Sequence, residues 1–343
     1  MDIVRSTDKD YLGVWRNLLL ASKGIRDGLY GPAGMSYYKE YCKWHKPKDL
    51  SFVVLQNSEP LCGIRMLSSN SKSQNTELSC YGLPILYVEN SSLSLTDVKS
   101  LQRVLKKELD AQLNQLNENY TLRFRDNLHG GSLSPFGILL LEKGASACPN
   151  YSQIIDLSLQ ESDLRKDLTK TNKWAVNWGE KNLDIKVLES SSITEKDIME
   201  FMSLHIDVAG RETRSFKSWE RQYEMIVAGE CFGVFAKVDK TLVSAALFPH
   251  SKAHCYYGVG VSRRELFDKP ISHAVIWAAI LNAKKKGIRY FEMGDQEYKM
   301  SPNPGPSQKA LSLSYFKKAF GGVPHVSLDL VLCVDSKQTH VGA

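Results

Sequence analysis

At 343 residues the chain is longer than one typical hydrophobic core organises, so two domains are expected. Hydrophobic residues at 43% and charged residues at 24% fit a globular protein and exclude a disordered one. The net charge of +6 is too mild for a DNA binder and suits a small anionic substrate, such as a nucleotide sugar or a coenzyme.

No apolar run reaches the ~20 residues that cross a bilayer, and the charged opening MDIVRSTDKDYLGVW lacks a signal-peptide apolar segment. The seven cysteines are scattered, odd in number and without a Cys-x-x-Cys pair. Reduced thiols, a cytoplasmic location and no metal site are therefore expected.

A helix is predicted over 9–22, followed by a Gly/Tyr-rich loop over 24–41 that contains Arg26, Tyr30, Gly31, Tyr37 and Tyr38. β-rich runs at 50–56 and 61–67 flank a turn at Asn57-Ser58-Glu59-Pro60, and 68–76 reads as an exposed loop. A further strand is expected at 83–88. Val98, Leu101, Leu105, Leu109, Leu113 and Leu116 recur every three or four residues, which predicts an amphipathic helix over 95–116. Strands at 120–125 and 136–141 and a connection over 144–150 complete the first half.

The second half repeats this grammar. A strand at 154–157 precedes a helix over 161–181, a strand at 183–188 and a helix begun by Thr194 with Asp197 three residues on. Strands over 231–237 and 242–249 form a hairpin about Val238-Asp239-Lys240-Thr241, and 254–261 reads as one more strand. A buried helix over 270–286 opens at Pro270 with Asp268 placed to cap it. It ends in Lys284, Lys285, Lys286 and Gly287. Strands follow at 288–293 and 328–334. The two halves share the order hairpin, strand, helix, strand. This predicts two tandem α+β domains, 1–150 and 151–343, each a mixed, mostly antiparallel sheet flanked by helices. Two unrelated α/β domains are the alternative.

The helix N-terminus at Pro270 carries unpaired N–H groups, and Arg263, Arg264 and Lys269 lie just ahead of it. Together they make an anion cradle suited to donor phosphates; a solvated turn is the alternative. Asp295 stands at a strand end with Glu292 and Gly294, where sites gather in α/β sheets, and Tyr298 and Lys299 follow. Tyr256 and Tyr257 alternate on a strand, so one of them faces a cleft. His205 lies in a helix near Asp207 and Arg211. Arg211, Arg214, Lys217 and Trp219 form a basic-aromatic cluster that fits a pyrophosphate and a stacked ring. No Ser/His/Asp order or Cys/His pair stands out, which disfavours a covalent enzyme intermediate.

Four segments carry a resemblance. They are LRKDLTKTNKWAVNWGEKNLDIKVLE from Leu164, GRETRSFKSWERQYEMI from Gly210, GECFGVFAKVDKTLVSAALF with HCYYGVGVSR, and EMGDQEYK with SYFKKAFGG. Their order over about residues 151–325 resembles the FemAB-like branch of the Gcn5-related N-acyltransferase (GNAT) superfamily. The resemblance implies an N-acyltransferase that moves an acyl or aminoacyl group from acyl-CoA or aminoacyl-tRNA onto a primary amine. The implied acceptors are amino-sugar nucleotides and cell-envelope precursors, as in polysaccharide or cell-wall biosynthesis. It further implies that the tail bearing Tyr315 and Lys317 packs beside the site. With Tyr257, His205 and Asp295 as catalytic candidates, attack would be direct and base-assisted. The glycine-rich phosphate turn of most GNAT enzymes is missing here. Its absence favours a second reading, a non-catalytic module of this fold that binds a nucleotide or a partner.

Overall fold

The computed structural model describes residues 1–22, 29–42, 47–70, 76–91, 93, 95–116, 119–128, 131–266, 268–299 and 305–334. The chain divides into two compact units. The first holds Met1–Gly24, Cys42–Asn150 and Val326–Ala343, and the second holds Ile25–Tyr41 and Tyr151–His325.

In the first unit β1 (Asp2–Arg5) and α1 (Tyr11–Ala21) open the chain. The helix α2 (Pro32–Cys42) follows, where a loop is expected from the sequence; all of it but Cys42 belongs to the second unit. After β2 (Lys48–Asp49), β3 (Phe52–Gln56) and β4 (Glu59–Arg65) form the predicted hairpin, with Asn57 and Ser58 both at positive φ. That turn matches the right-handed twist of its strands. The predicted loop at 68–76 is replaced by β5 (Leu67–Asn70) and β6 (Thr76–Ser79), which pair antiparallel; residues 71–75 lie outside the described residues. Then come β7 (Leu86–Glu89), α3 (Leu95–Leu113) and β8 (Tyr120–Asp126).

The run at 136–141 is not a strand. It is the helix α4 (Pro135–Glu142), whose Ser134 hydroxyl accepts from the Gly137 amide and whose first residue is proline. A short apolar run has no periodicity to separate a buried strand from a buried helix, and the cap decides it. The expected connection at 144–150 is instead the start of β9 (Ser146–Asp156). Leu101, Leu105 and Leu109 of α3 pack with Phe52, Ile64, Phe124 and Phe136 in the core of this unit.

The second unit begins its main run with α5 (Glu161–Asp167) and α6 (Lys170–Asn182), two helices where the sequence suggests one. Thr169 breaks the run by capping α6 with its hydroxyl. There follow β10 (Asp184–Leu188), α7 (Glu195–Ala209) with the Thr194/Asp197 capping box formed, and α8 (Phe216–Val227). The hairpin β11 (Cys231–Val238) and β12 (Thr241–Pro249) turns at Asp239 and Lys240, again both at positive φ. The two units thus share a hairpin with the same turn.

The predicted strand at 254–261 is broken into β13 (His254–Tyr256) and β14 (Val259–Ser262). β14 pairs with β12, whereas β13 pairs parallel with β15 (Tyr290–Asp295), which in turn pairs with β9. The break at Tyr257-Gly258 therefore sends one strand into two sheets, which splay apart at that point. Between β14 and β15 the chain forms α9 (Ile271–Lys285), whose Ile271, Val275, Ile276, Ala279 and Ile280 sit in the core with Phe232, Phe248 and Phe291. Asp268 does not cap this helix; Pro270 occupies the cap position with no side-chain bond. The described residues end in α10 (Gln308–Lys318), a helix not expected from the sequence, and β16 (Val323–Val334).

Candidate functional site

The break at Tyr257-Gly258 lies between two cavities on opposite sides of the strand layer. The larger, about 470 Å³, is lined by Ser244 and Ala246 of β12, Tyr257, Gly260 and Ser262, Ser272 and Ile276 of α9, and Lys309 and Phe316 of α10. The smaller, about 250 Å³, is lined by Tyr37, Tyr38 and Tyr41 of α2, Arg214, Gln222 and Met225, Leu247 and Pro249, and Tyr256 and Gly258. Strand alternation sends Tyr256 to the smaller cavity and Tyr257 to the larger. Burial pushes the Tyr257 phenol up, and its ring stacks on Phe248 at 5.7 Å.

At the end of β15 the strand bulges between Glu292 and Gly294, and Gly294 takes φ +93°. A Cβ placed on Gly294 would lie 3.1 Å from Lys317 Nζ and 3.7 Å from the Tyr256 hydroxyl oxygen. Glycine here lets a half-buried ammonium and a phenol hydroxyl converge. Lys317 Nζ donates to the Asp295 carbonyl at 2.9 Å. Burial pulls the Lys317 pKa down, and Asp295, Glu292 and Glu297 oppose that shift. Behind them Glu292 is almost fully buried, with its Oε2 at ion-pair distance, 3.0 Å, from His254 Nε2.

The guanidinium of Arg214 donates from Nη1 to the Tyr37 hydroxyl at 2.9 Å and stacks over Tyr41 and Trp219 at 5.2 and 4.6 Å. Among the described residues, its buried Nε finds no hydrogen-bond partner, and neither does Gln222 Oε1. Glu230 holds α2 in place: one carboxylate oxygen accepts from the Ala33 and Gly34 amides at 3.0 and 2.9 Å. Two of the orphan donors at the helix start are thereby satisfied by a residue far along the chain. Glu230→Ala is expected to cost about 1–2 kcal/mol of stability, whereas Glu230→Gln retains an acceptor oxygen and most of the stability. Urea unfolding of both variants checks this; equal losses would show that the amides do not need the oxygen.

Among the catalytic candidates, only Tyr257 lines either cavity. Asp295 is exposed at the strand end, with its carbonyl engaged by Lys317. His205 lines neither cavity; its Nδ1 lies 3.3 Å from the Thr213 hydroxyl and its ring packs against Phe201 and Trp219. Trp219 is a core residue, 2% exposed. Arg211 is exposed on the turn after α7, away from the cavity that Arg214 lines. Tyr298 packs edge-on against Tyr151, Lys299 is exposed beyond it, and Tyr315 points to solvent at 79% exposure.

Arg263 donates from Nε to the Leu242 carbonyl, and its amide bonds the Val243 carbonyl. Arg264 and Lys269 are exposed. The amides of Leu266, Lys269 and Ile271 bond carbonyls within the same turn. Arg26 lies outside the described residues. The sequence reading did not single out Gln222, and it did not pair Lys317 with Tyr256. Tyr37 and Tyr38 stood out only as loop residues.

The cysteines are unpaired, with Cys62, Cys80, Cys231 and Cys255 buried. Burial pushes the Cys80 thiol up to about 12 and the other three up as well. A thiol so held is a poor nucleophile. Among the described residues, no helix is long and apolar enough to cross a membrane.

Burial is the first cause that lowers the pKa of His205, His250 and His273. Between the ordinary imidazole value of about 6.5 and their lower folded values, the unfolded chain binds more protons. Stability is therefore present above about pH 6.5 and falls as the pH drops. Urea midpoints at pH 7.5 and pH 5.0 test this; an unchanged or higher midpoint at pH 5.0 contradicts it.

Comparison with known proteins bears on the fold. No protein-family model and no curated protein sequence matches the chain. Among solved structures, FemX is similar with a TM-score of 0.70 at 13% identity, over 96% of this chain and 97% of that one. The chain has the FemAB-like GNAT fold. L-PGS from Bacillus licheniformis matches this fold with a TM-score of 0.58 at 12% identity, over 96% of this chain and 93% of that one. A tandem GNAT protein from the clavulanic acid biosynthesis pathway does so with a TM-score of 0.52 at 13% identity, over 97% and 98%. Two tandem GNAT-like domains are thus the architecture.

Proposed function

We propose that the protein is an N-acyltransferase that moves an acyl or aminoacyl group from a thioester or ester donor onto a primary amine. The observation that carries this reading is the strand break at Tyr257-Gly258, where two cavities meet the splayed sheets from opposite sides. The larger cavity takes the acyl end of the donor and the smaller takes the acceptor. The amine nitrogen attacks the acyl carbon and the carbonyl electrons move to oxygen. As the adduct collapses, the bond to the donor's sulfur or oxygen breaks, the leaving group takes a proton, and an amide remains. Lys317 and Tyr256, which converge at Gly294, supply hydrogen bonds to the negative oxygen, the largest single contribution in many such reactions. No buried thiol is needed for a covalent intermediate.

Arg214 has no acidic partner among the described residues. A half-buried guanidinium in that state supports an anionic acceptor, such as a nucleotide-linked amino sugar or a cell-envelope precursor. The names of FemX and L-PGS agree with a transferase only at the level of fold, which alone does not fix an activity.

The test is incubation of the purified protein with acyl-CoA thioesters and aminoacyl-tRNA, each with amino-sugar nucleotides, followed by mass spectrometry of the acceptor. An acylated amine is the expected product. Absence of product from every donor, with ligand binding intact, would favour the second reading, a module of this fold that only binds. The turn at 263–271, which uses several amides internally, is the observation that keeps that reading in view.

A further inference from the structure

The lining of the larger cavity bears on which acyl group is carried, on the premise that this cavity is the donor's. Its walls are mostly apolar: Ala245, Ala246, Val261, Val275, Ile276 and Phe316. Its polar members are serine hydroxyls, Tyr257 and Lys309. Two of those hydroxyls, Ser244 and Ser262, lie 2.8 Å apart and bond each other. Among the described residues, no carboxylate lines it. Glu265 and Asp268, in the neighbouring turn, are exposed and line neither cavity. The charged lining residue is the cation Lys309, exposed on the first turn of α10 beside the exposed Ser312 and Leu313.

An aminoacyl group brings an α-ammonium into such a place. There it would lose hydration, find no counter-charge, and meet the field of Lys309. A hydrocarbon chain meets none of these costs and gains from every apolar contact. The cavity's 470 Å³ corresponds to on the order of fifteen water-sized groups at about 30 Å³ each. An acetyl group would leave most of it unfilled.

We propose that this cavity is an acyl-chain pocket, so that the donor is a medium-chain acyl thioester and not an aminoacyl ester. The carbonyl lies at the Tyr257-Gly258 break and the chain runs along Ala246, Val261, Val275, Ile276 and Phe316. Lys309 at the mouth meets the anionic carrier of the thioester.

The test compares acetyl-CoA, octanoyl-CoA, dodecanoyl-CoA and alanyl-tRNA as donors at equal concentration. Binding of the unreactive thioether S-dodecyl-CoA is measured separately by calorimetry. Octanoyl or dodecanoyl transfer at least tenfold faster than acetyl or alanyl transfer is expected. Two variants locate the chain. Ala246→Phe, which narrows the cavity, is expected to shift the preference toward shorter chains by at least tenfold. Val275→Asp, which places a carboxylate in the cavity, is expected to abolish the chain-length preference. Thermal melts confirm that each variant folds, and Ser272→Phe, at a half-buried rim position, replaces either one that does not.

Transfer from alanyl-tRNA, or equal transfer of acetyl and dodecanoyl groups, overturns the chain pocket but leaves acyl transfer standing. Tight binding of S-dodecyl-CoA that Ala246→Phe abolishes, with no product from any donor, supports the pocket and removes the transferase reading. Absence of both binding and transfer overturns the chain pocket.

Discussion

Lys317→Ala is expected to lower kcat/KM by about 10²–10³, the loss seen when one donor to a developing oxyanion is removed. The argument rests on placement. Lys317 is half-buried at the last turn of α10, its Nζ bonds the Asp295 carbonyl, and both its Nζ and the Tyr256 hydroxyl lie within 4 Å of the position a Cβ on Gly294 would take. The low local dielectric makes its charge more effective there than in water. Burial also lowers its pKa, so the cation is lost on the alkaline side at a pH below the ordinary lysine value of about 10.5. Wild-type kcat/KM should therefore fall as the pH rises through this lowered pKa, before the ordinary lysine value is reached. The stability linkage runs the other way: between the folded and unfolded pKa values the unfolded chain binds more protons, so stability rises with pH. Lys317→Arg is expected to recover part of the rate and to move the alkaline limb upward. A Lys317→Ala enzyme with unchanged kcat/KM would remove Lys317 from the chemistry, and an alkaline limb unmoved in Lys317→Arg would assign that limb to another group.

The second large effect concerns folding. Gly322 has φ +75°, and a Cβ there would strike the Ile154 carbonyl group, with the Ile155 Cγ1 at 2.9 Å. Neither obstacle is a flexible side-chain end: one is strand backbone and the other a core isoleucine. Gly322→Ala should combine a left-handed backbone penalty of about 1–2 kcal/mol with an overpacking penalty of about 1–3 kcal/mol. A loss of about 3 kcal/mol is expected in urea unfolding. Gly144 also has positive φ but nothing within 4 Å, so Gly144→Ala should show the conformational part alone. Equal losses at the two positions would show that contact with Ile154 is not the cause.

The paired glycines of SYFKKAFGG thus have a structural explanation. Gly321 and Gly322 both take positive φ as the chain leaves α10 for β16. That turn fixes the end of the helix that presents Lys317.

Much of the fold was legible because local rules and tertiary packing agree. The leucines of α3 and the apolar run of α9 are read at helical spacing and found buried. The turns at Asn57-Ser58 and Asp239-Lys240 are readable and correspond. Misreadings fall where the deciding group is remote or ambiguous. The N-terminal amides of α2 bond to Glu230, almost two hundred residues away, so no local pattern announces that helix. The apolar run of α4 carries no period, and the Thr169 cap is one hydroxyl inside an apparently continuous helix.

The site was legible to a lesser degree. Strand alternation announced that Tyr256 and Tyr257 would part, but not which would meet Lys317. The rings diverge by alternation, while the strand break that follows Tyr256 arises from which neighbour each half pairs with. Arg211 and Arg214 are indistinguishable as sequence, three residues apart in one basic segment. The bond to Tyr37 and the stacking over Tyr41 and Trp219 separate them. Buried acceptors such as Gln222 have no sequence signal at all, since glutamine is ordinary on a helix.

The tether between Glu230 and the start of α2 has a consequence for biosynthesis. The three tyrosines of α2 that line the smaller cavity leave the ribosome early, while the carboxylate anchor of their helix emerges 197 residues behind Ala33. During synthesis that segment must wait, unanchored, until most of the polypeptide has appeared. A fragment expressed from residue 151 onward would lack one wall of its own pocket. Supplying residues 29–42 as a separate peptide is the direct way to rebuild it.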